Sequence, residues 1–576
     1  MNLTWASLMM EELARLGVRH ICVAPGSRSS PLAVAAARHP RLHTVVHFDE
    51  RGGAFYALGL ARASGVPAVW VTTSGTAAAN GFPAVVEASM AGVPLLLITA
   101  DRPPELRDAG ANQTIDQVKM FGDYVRWQVD MPCPSAEVPA AYVLTTVDQA
   151  VQRACSPHPG PVHLNCMFRE PLLPEGGAVR PLPEELLPAW QKSSHPYTTY
   201  MIAGGAVPPG IMPALWRDGA KGLIVAGELR MDEDRRAVCE LASHFGWPLL
   251  PDVLSGLRLG AAPAPSVPYY DQLLLADGRA ATLRPDVVLH VGGPIVSRRL
   301  QQFLAVNPPP THVRLSPLPT RQDPQHQVTL ALQSGVAAGC DALRRQAPPV
   351  PDPVWAAAWI EPMAAIDLEI EAVLEGRTDV NEPWVARTVS RLLPAGHGLF
   401  LASSMPIRDM DMYGATAGSA PGVGANRGAS GIDGTLATAA GFAAGLDTAV
   451  TVVLGDLACL HDLNSLALLR GRPVTVIVIN NNGGGIFSFL PVAAYSDVFE
   501  KMFGTPHGLH FESAAALFGL KYIRAETQAH FQESYAAATR TSGPTVIEVV
   551  TDRDENVRLH AQLQQRIRSR LSGPGG

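Results

Sequence analysis

VTVVLGDL (residues 450–457) and VTVIVINNNGGG (residues 474–485) are the two segments that decide how the last third of this chain folds. Each begins with a continuous apolar run, which is typical of a strand buried on both faces of a parallel sheet. Each then ends in polar residues or glycine. Because ligands bind beyond the carboxyl ends of parallel strands, we expect the two polar ends to lie together at one sheet edge.

The groups that follow these strands suit a metal ion bound to a phosphate. Asp456 supplies a carboxylate, the asparagines supply amide oxygens, and the glycines let the main chain come close to a phosphate. Hard oxygen donors of this kind favour Mg²⁺. Gly-Asp alone is explained as well by an ordinary turn. Its combination with Asn-Asn-Gly after a second apolar strand favours the metal site.

The rest of the chain repeats the alternation of short apolar runs with Ala- and Leu-rich stretches. This pattern predicts an α/β protein with mainly parallel, doubly wound sheets. We expect three domains, at residues 1–180, 197–345 and 354–576, separated by Pro-rich stretches at 170–196 and 346–353. The predicted strands are residues 20–23, 44–48, 68–72, 95–99, 162–165, 223–226, 249–252, 287–291, 399–402, 450–454, 474–480 and 546–550. The polar tail, 553–576, predicts a short, fraying helix.

Composition narrows the class of protein. Hydrophobic residues make up 47% and charged residues 17% of the 576 residues, which indicates a well-packed globular protein. The net charge of −7 argues against a nucleic-acid partner. No apolar run is long enough to span a bilayer, and the first residues lack a signal-peptide pattern. The seven scattered cysteines favour reduced thiols, so we expect a cytoplasmic protein without a membrane partner.

Glu50 lies where a predicted strand gives way to an Ala-rich helix, within HFDERGGAF (residues 47–55). A carboxylate at a helix N-terminus is favourable in itself. Taken alone, that position explains the residue without any catalytic role.

Arginines recur in polar loops beside predicted strand ends. A guanidinium group pairs bidentately with a carboxylate, so converging arginines predict substrates that carry several carboxylates. Any one of them is better explained as a solvated surface residue. The arginines in question are Arg28, Arg102, Arg298, Arg299, Arg408 and Arg427.

The paired motif resembles the signature of the thiamine-diphosphate-dependent enzymes, Gly-Asp-Gly followed by Asn-Asn, with Leu457 in place of the second glycine. Further blocks resemble one family among them, the 2-succinyl-5-enolpyruvyl-6-hydroxy-3-cyclohexene-1-carboxylate (SEPHCHC) synthases of menaquinone biosynthesis. Those blocks are PGSRSSPLA, HFDERGGAF, TTSGTAAAN, ITADRPPELRDAGANQTIDQ, GPVHLN, NRGASGIDG, HDLNSLALL and NNNGGGIFSFLP. The middle of the chain is less similar, and Arg298-Arg299 stands where that family leads us to expect Lys-Arg.

The resemblance implies a transferase that uses thiamine diphosphate and Mg²⁺ (or Mn²⁺). It implies that 2-oxoglutarate is decarboxylated and that its four-carbon remainder adds in 1,4 fashion to isochorismate. It also implies a homodimer or homotetramer in which each site is built from two chains. Glu50 would share a proton with the aminopyrimidine ring of the cofactor and so promote formation of its reactive carbanion.

The resemblance also assigns residues by position. The metal would be held by Asp456, Asn481 and the Gly483 carbonyl, and the catalytic residues would be Glu50, Arg28, Gln113 and Arg408. Other cofactor contacts would be Gly75, Thr76, Ser404, Met405, Ile432, Gly455, Leu457, Gly484 and Ile486. Substrate contacts would be Ser27, Arg28, Arg102, Asn112, Gln113, Arg298, Arg299, Ser404, Arg408, Arg427, Phe487 and Leu490.

Two alternatives stay open at this point. One is another thiamine-diphosphate enzyme, either a simple 2-oxo acid decarboxylase or an acetohydroxyacid-synthase-like carboligase. Enzymes of that kind handle smaller acids and need fewer arginines. The other is a cofactor-binding regulatory protein that has kept the fold. The presence of Glu50 argues against it.

Overall fold

The computed structural model describes residues 1–177, 187–201, 219–260, 265–346, 348, 350–418 and 422–572. Parts of both predicted interdomain stretches, residues 178–186, 347 and 349, therefore lie outside the described residues. By its internal contacts the chain divides into two compact units. The first unit comprises Met1–Ala203, Asn426–Asp447 and His461–Leu469, and the second comprises Gly204–Ala425, Thr448–Leu460 and Arg470–Gly576.

The elements of the first predicted domain alternate between strand and helix. The strands are β1 (His20–Val23), β2 (His43–Val46), β3 (Ala68–Thr72), β4 (Leu95–Asp101), β5 (Trp127–Met131) and β6 (Pro161–Met167). The helices are α1 (Asn2–Arg15), α2 (Ser30–Arg38), α3 (Glu50–Ser64), α4 (Thr76–Asn80), α5 (Phe82–Ala91), α6 (Ala140–Cys155) and α7 (Pro188–Gln191).

The middle of the chain forms a smaller set of elements. Its strands are β7 (Gly222–Ala226), β8 (Leu249–Pro251), β9 (Val287–Val291), β10 (Thr311–Ser316) and β11 (Leu330–Gln333). Its helices are α8 (Asp232–Phe245), α9 (Tyr270–Leu273), α10 (Asp277–Ala280), α11 (Arg298–Val306) and α12 (Val336–Arg344).

The last part of the chain contains the paired motif. Its strands are β12 (Gly398–Leu401), β13 (Val423–Gly424), β14 (Val450–Gly455), β15 (Val474–Asn480), β16 (Lys521–Ala525) and β17 (Thr545–Val550). Its helices are α13 (Pro353–Ile360), α14 (Pro362–Leu374), α15 (Glu382–Leu392), α16 (Met405–Tyr413), α17 (Thr435–Leu446), α18 (Asp456–His461), α19 (Ser496–Phe499), α20 (Glu512–Leu517), α21 (Gln528–Ala538) and α22 (Arg553–Ser572).

These strands form three parallel sheets, which confirms the predicted α/β fold class. Their orders are β2-β1-β3-β4-β6-β5, β11-β10-β9-β7-β8 and β13-β12-β14-β15-β17-β16. Each sheet lies within one of the three predicted ranges. The domain boundaries themselves stay a prediction, because two segments from the last range, Asn426–Asp447 and His461–Leu469, pack within the first unit.

Five strands were not predicted, and their places in the sheets explain why. Among them, β5, β11, β13 and β16 are edge strands, which need no continuous apolar run because one side is unpaired. The fifth, β10, lies inside its sheet. Its apolar run is interrupted by His312 and Arg314, both of which are buried.

The predicted short helix in the C-terminal tail was wrong in length. Helix α22 runs from Arg553 to Ser572 and buries Leu559, Leu563 and Ile567 in the core of the second unit. The tail was expected to form only a short, fraying helix because most of its residues are polar. One apolar side chain every three to four residues is enough to anchor a helix along one face.

The described part of the predicted linker is more ordered than its composition indicated. Within the first unit, Trp190 donates a hydrogen bond to Glu12, Nε1 to Oε2, over 2.6 Å, and the Arg15 guanidinium lies 4.0 Å from the centre of its indole ring. The described end of this stretch is therefore fixed to α1. The seven cysteines are free, and none of the described helices is both long and apolar enough to cross a membrane.

Helix α3 packs closely against α17 in the first unit. A Cβ atom on Gly59 would overlap the carbonyl oxygen of Thr438, and one on Gly441 would overlap the carbonyl oxygen of Tyr56. The two backbones can approach this closely only because neither position carries a side chain. The packing fixes α3, whose first residue is Glu50.

We expect Gly441→Ala to destabilise the protein by about 1–3 kcal/mol, because the added methyl group meets backbone that cannot rotate away. Chemical denaturation monitored by circular dichroism measures the change. Gly278→Ala is the matched control, since the space around that helical glycine is open and alanine is the better helix former. Equal stability of Gly441→Ala and the wild type would contradict the packing argument.

Candidate functional site

The two motif ends meet as the sequence predicts. Strands β14 and β15 are adjacent and parallel, with Gly455 in register with Ile479. The Gly483 N–H donates a hydrogen bond to Asp456 Oδ2 over 2.9 Å. The Asp456 side chain is 2% exposed. A carboxylate and a glycine-rich turn thus share one edge of the sheet in the second unit.

The motif departs from its usual form at Leu457, and the backbone conformation there shows why glycine is not required. The residue is part of α18 and has no left-handed backbone conformation, so the position does not require glycine. Its backbone N–H donates to Asp456 Oδ1 over 2.6 Å. The turn keeps its hydrogen bond whatever the side chain is, and the half-buried leucine is compatible with it.

Gly483 is needed for a different reason. Its φ is 132°, and a Cβ atom there would overlap the carbonyl oxygen of Gly504. The next residue, Gly484, donates its N–H to that same oxygen over 2.8 Å. The glycines therefore let the turn pack directly on the backbone of the segment around residue 504.

Asn481 has the free oxygen that a metal ion would need. Its Nδ2 donates to Glu382 Oε1 over 3.0 Å. Its Oδ1 is buried and has no hydrogen-bond partner among the described residues. A buried acceptor without a partner is costly unless a cation or water satisfies it. Together with the Asp456 carboxylate, this oxygen fits the donor set of Mg²⁺.

Two residues at this edge were not found from the sequence. His507 Nε2 lies 3.1 Å from Asp456 Oδ2, and Glu382 contacts Asn481. Burial, with the Asp409 carboxylate nearby, raises the pKa of Glu382 to about 7. Both residues are distant from the motif along the chain and belong to no recognisable spacing, so no local signal could have identified them.

In the first unit, Glu50 lies between a strand and a helix, as the sequence predicts. Strand β2 ends at Val46, two residues before the predicted end, and Glu50 is the first residue of α3. Its half-buried carboxylate accepts a 3.4 Å hydrogen bond, at Oε2, from Asn80 Nδ2. The preceding residue, Asp49, caps the helix by accepting from the N–H groups of Arg51 and Gly52.

The HDLNSLALL block holds this helix start in place. Asn464 donates to Asp49 over 3.2 Å, Nδ2 to Oδ2, and Arg51 Nη2 donates to the carbonyl of His461 over 2.7 Å. Both contacts are internal to the first unit. These contacts fix the residues on either side of Glu50, so the block has a structural role.

Ser74 joins two predicted residues of the first unit, Gln113 and Arg102. Its hydroxyl donates to the Gln113 carbonyl over 2.9 Å and accepts a hydrogen bond from Arg102. Gln113 Nε2 returns a hydrogen bond to the Ser74 carbonyl over 3.0 Å. Gly75, which has φ of 85°, comes directly after Ser74 in the chain and is followed by Thr76, the first residue of α4. Ser74 itself was not predicted.

Arg28 and Arg102 influence each other electrostatically. Burial and the nearby Arg28 guanidinium lower the pKa of Arg102. Arg28 donates to the Phe168 carbonyl over 2.9 Å and lies 3.1 Å from the exposed Glu170 carboxylate. Two cations held near each other favour an anionic ligand. Ser27 and Asn112 are exposed.

The NRGASGIDG block also belongs to the first unit. The buried Glu87 carboxylate accepts hydrogen bonds from the backbone N–H groups of Gly428 (2.9 Å) and Ala429 (2.7 Å). It also pairs with Arg62 at 2.9 Å. The loop that carries Arg427 and Ile432 is thereby fixed. Ile432 is 38% exposed, so its side chain is accessible to a ligand.

A cavity of about 250 Å³ in the second unit gathers further predicted residues. Burial and the nearby Arg298 lower the pKa of Arg408, and neither arginine has an ion-pair partner among the described residues. Arg299 instead pairs with the buried Asp271. The residues that line the cavity include Ser297, Arg298, Arg299, Met405, Arg408, Phe489 and His560.

The remaining predicted residues lie beside this region of the second unit. Ser404 precedes α16 and has φ of 77°, a strained conformation that is found most often at functional sites. The Phe487 ring packs edge-on against Phe503, with 5.6 Å between ring centres. Gly455, Ile486 and Leu490 are partly exposed. Of the aromatic residues in the NNNGGGIFSFLP block, Phe489 is the one that lines the cavity.

We expect Arg298→Ala and Arg299→Ala to differ. Loss of Arg298, which has no ion-pair partner among the described residues, should raise KM for a substrate that carries carboxylates at least about 10-fold, because a charge-assisted hydrogen bond contributes about 1.5–3 kcal/mol, and should leave Tm unchanged. Loss of Arg299 should lower Tm, since it leaves the Asp271 carboxylate without its cation. Steady-state kinetics and thermal unfolding measure both effects. A lowered Tm in Arg298→Ala with unchanged KM would refute the assignment.

Three segments of the chain match models of known protein families. Residues 3–120 match the thiamine pyrophosphate enzyme N-terminal TPP binding domain, 184–401 the middle domain of thiamine pyrophosphate enzymes, and 421–549 the C-terminal TPP binding domain. Thiamine pyrophosphate is another name for thiamine diphosphate. The three matches follow the order of the three sheets.

Curated relatives are similar over nearly the whole chain. A SEPHCHC synthase of Rubrobacter xylanophilus is 51% identical, covering 98% of each chain. One of Salinibacter ruber is 48% identical, over 98% of this chain and 96% of its own. One of Chlorobium phaeobacteroides is 42% identical, over 98% and 97%. Similarity of this extent, with the motif geometry intact, means that the chain belongs to the SEPHCHC synthase family of thiamine-diphosphate enzymes.

Proposed function

We propose that this protein decarboxylates 2-oxoglutarate and adds the resulting succinyl unit to isochorismate, forming SEPHCHC for menaquinone biosynthesis. The observation that carries the proposal is the unpaired Arg298–Arg408 couple at the cavity of the second unit. Both reactants carry two carboxylates. A pair of cations without carboxylate partners in the described structure matches such substrates better than it matches a small monoanionic acid.

Thiamine diphosphate, when bound, supplies the nucleophilic carbon and accepts the electrons that CO₂ leaves behind. The protein's task is to hold and polarise. Asp456, the Asn481 oxygen and the Gly483 carbonyl would hold Mg²⁺, or Mn²⁺, on the diphosphate. Glu50 would share a proton with the pyrimidine ring nitrogen, and the start of α3 keeps that carboxylate at a fixed place in the first unit.

Some of the arginines would position the substrates, whereas Arg299 would have a structural role. Arg28 and Arg102 in the first unit, and Arg298 and Arg408 in the second, would bind substrate carboxylates, and Gln113 is joined to Arg102 through Ser74. Arg299 has its charge neutralised by Asp271, so its main contribution would be to hold the loop before α11. Bidentate binding by several guanidinium groups would orient 2-oxoglutarate before CO₂ leaves.

We infer a homodimer or homotetramer with sites shared between chains. Large apolar side chains are exposed on the first unit: Val46 is 64%, Phe48 59% and Met90 52% exposed, and the first two lie on the segment that leads into Glu50. Exposed apolar surface of this kind is typical of a face that another chain covers. The proposal places the enzyme in the cytoplasm, with small molecules rather than nucleic acid or membrane as its partners.

The relatives' names support this function over the alternatives. Another 2-oxo acid decarboxylase or an acetohydroxyacid-synthase-like enzyme would be expected to accept pyruvate. Purified protein with thiamine diphosphate and Mg²⁺ should release CO₂ from 2-oxoglutarate and consume isochorismate. Coupled CO₂ detection and mass spectrometry measure the two effects. Turnover of pyruvate in place of 2-oxoglutarate would overturn the proposal.

Glu50→Gln separates an enzyme from a cofactor-binding regulator. We expect the variant to bind thiamine diphosphate within an order of magnitude of wild-type affinity, because the side chain keeps its size, and to lose turnover, because the amide cannot share the required proton. Calorimetry and CO₂ release measure the two effects. The exposed Glu137→Gln is the control. Wild-type turnover in Glu50→Gln would end the assigned role.

A further inference from the structure

We propose that Glu382 is the positioning residue that orients the metal-binding amide of Asn481. The inference rests on the proposed function, since it presumes that Asn481 binds the metal. Glu382 touches no reacting atom. It would act only through Asn481, by deciding which end of the amide faces the ion.

The contact between the two side chains fixes the amide in one orientation. Asn481 Nδ2 lies 3.0 Å from Glu382 Oε1. A carboxylate oxygen accepts hydrogen bonds, so the amide end that faces it has to be the NH₂ group. The amide oxygen then points away from Glu382. That oxygen is the buried atom without a partner in the described structure.

Glu382 is itself held rigidly. It is the first residue of α15, where a carboxylate is favoured by the helix dipole, and it is 1% exposed. Thr551 Oγ1 donates to the same Oε1 over 3.2 Å. The helix start is capped by Asn381, whose Oδ1 accepts from the Trp384 N–H over 3.0 Å. A carboxylate fixed in this way can hold its neighbour to one conformation.

The preceding asparagine provides an internal comparison. Asn480 Nδ2 donates to a second buried glutamate, Glu548, over 2.7 Å. Its Oδ1, however, accepts the backbone N–H of Asn482 over 3.1 Å. Both amides are thus turned by a glutamate, but only Asn481 keeps an oxygen free. This difference accounts for why one asparagine of the NNN run is available to a cation and its neighbour is not.

The test measures Mn²⁺ affinity in the presence of saturating thiamine diphosphate, with free Mn²⁺ counted by electron paramagnetic resonance. Glu382→Met fills the same space without an acceptor. We expect it to raise the Mn²⁺ Kd about 10–100-fold, the usual effect of losing a residue that orients a metal ligand. Glu382→Gln keeps an acceptor oxygen and should stay within about 3-fold of wild type.

Two reference variants bracket the result. Asp456→Ala removes a ligand and should abolish the binding. Glu548→Gln alters the matching glutamate beside Asn480 and should leave the Mn²⁺ Kd unchanged. Wild-type affinity in Glu382→Met would overturn the inference. So would an equal loss in Glu382→Gln and Glu382→Met, because charge and not amide orientation would then be responsible.

A second route applies if Glu382→Met does not fold. Asn481→Asp should bind Mn²⁺ poorly, because the new carboxylate faces Glu382 at the present hydrogen-bond distance. Adding Glu382→Gln supplies a donor and should restore at least 10-fold in affinity. Equal affinity of the single and double variants would refute the inference. Failure of the wild type to bind Mn²⁺ with the cofactor, or to release CO₂ from 2-oxoglutarate, would count against the proposed function instead.

Discussion

The hydrogen bond from the Gly483 N–H to the Asp456 carboxylate is the contact on which the candidate metal site depends. It joins the ends of two adjacent parallel strands, β14 and β15, so that a carboxylate and a glycine-rich turn share one sheet edge. The same turn has a left-handed glycine at 483, which lets it pack against the backbone of residue 504. The pairing of the two strands, the conformation of the turn and the positions of the candidate metal-binding groups therefore depend on one another.

Unbalanced charge is the second constraint. Burial of a guanidinium group is unfavourable unless an anion accompanies it, and a neighbouring cation makes it worse. In the second unit, burial and the nearby Arg298 lower the pKa of Arg408, and neither has an ion-pair partner among the described residues. In the first unit, burial and Arg28 lower the pKa of Arg102, although Arg28 itself pairs with the exposed Glu170. Such arrangements are stable when a polyanionic ligand completes them. Arg299 differs because Asp271 already neutralises it.

Several carboxylates in this protein hold neighbouring residues in place. Asp49 caps α3 and so places Glu50, Glu87 holds the loop that carries Arg427, and Glu382 contacts Asn481. In each case a buried or capping carboxylate accepts hydrogen bonds that fix a predicted site residue or the loop that carries it. Changes at these residues would act on function through geometry, at some distance from the reacting atoms.

The sequence by itself determined the parallel α/β class, the paired ends of β14 and β15, and the place of Glu50 between a strand and a helix. Continuous apolar runs and strand-end residues are local signals, because a strand buried on both faces must be apolar along its length. Edge strands, the interior strand with His312 and Arg314, and the anchored tail α22 lack that signal. Only the tertiary structure separated Arg298 from Arg299, and brought Glu382 to Asn481 and His507 to Asp456. Those pairings join residues that are far apart along the chain, and their partners are chosen by packing, which no local pattern records.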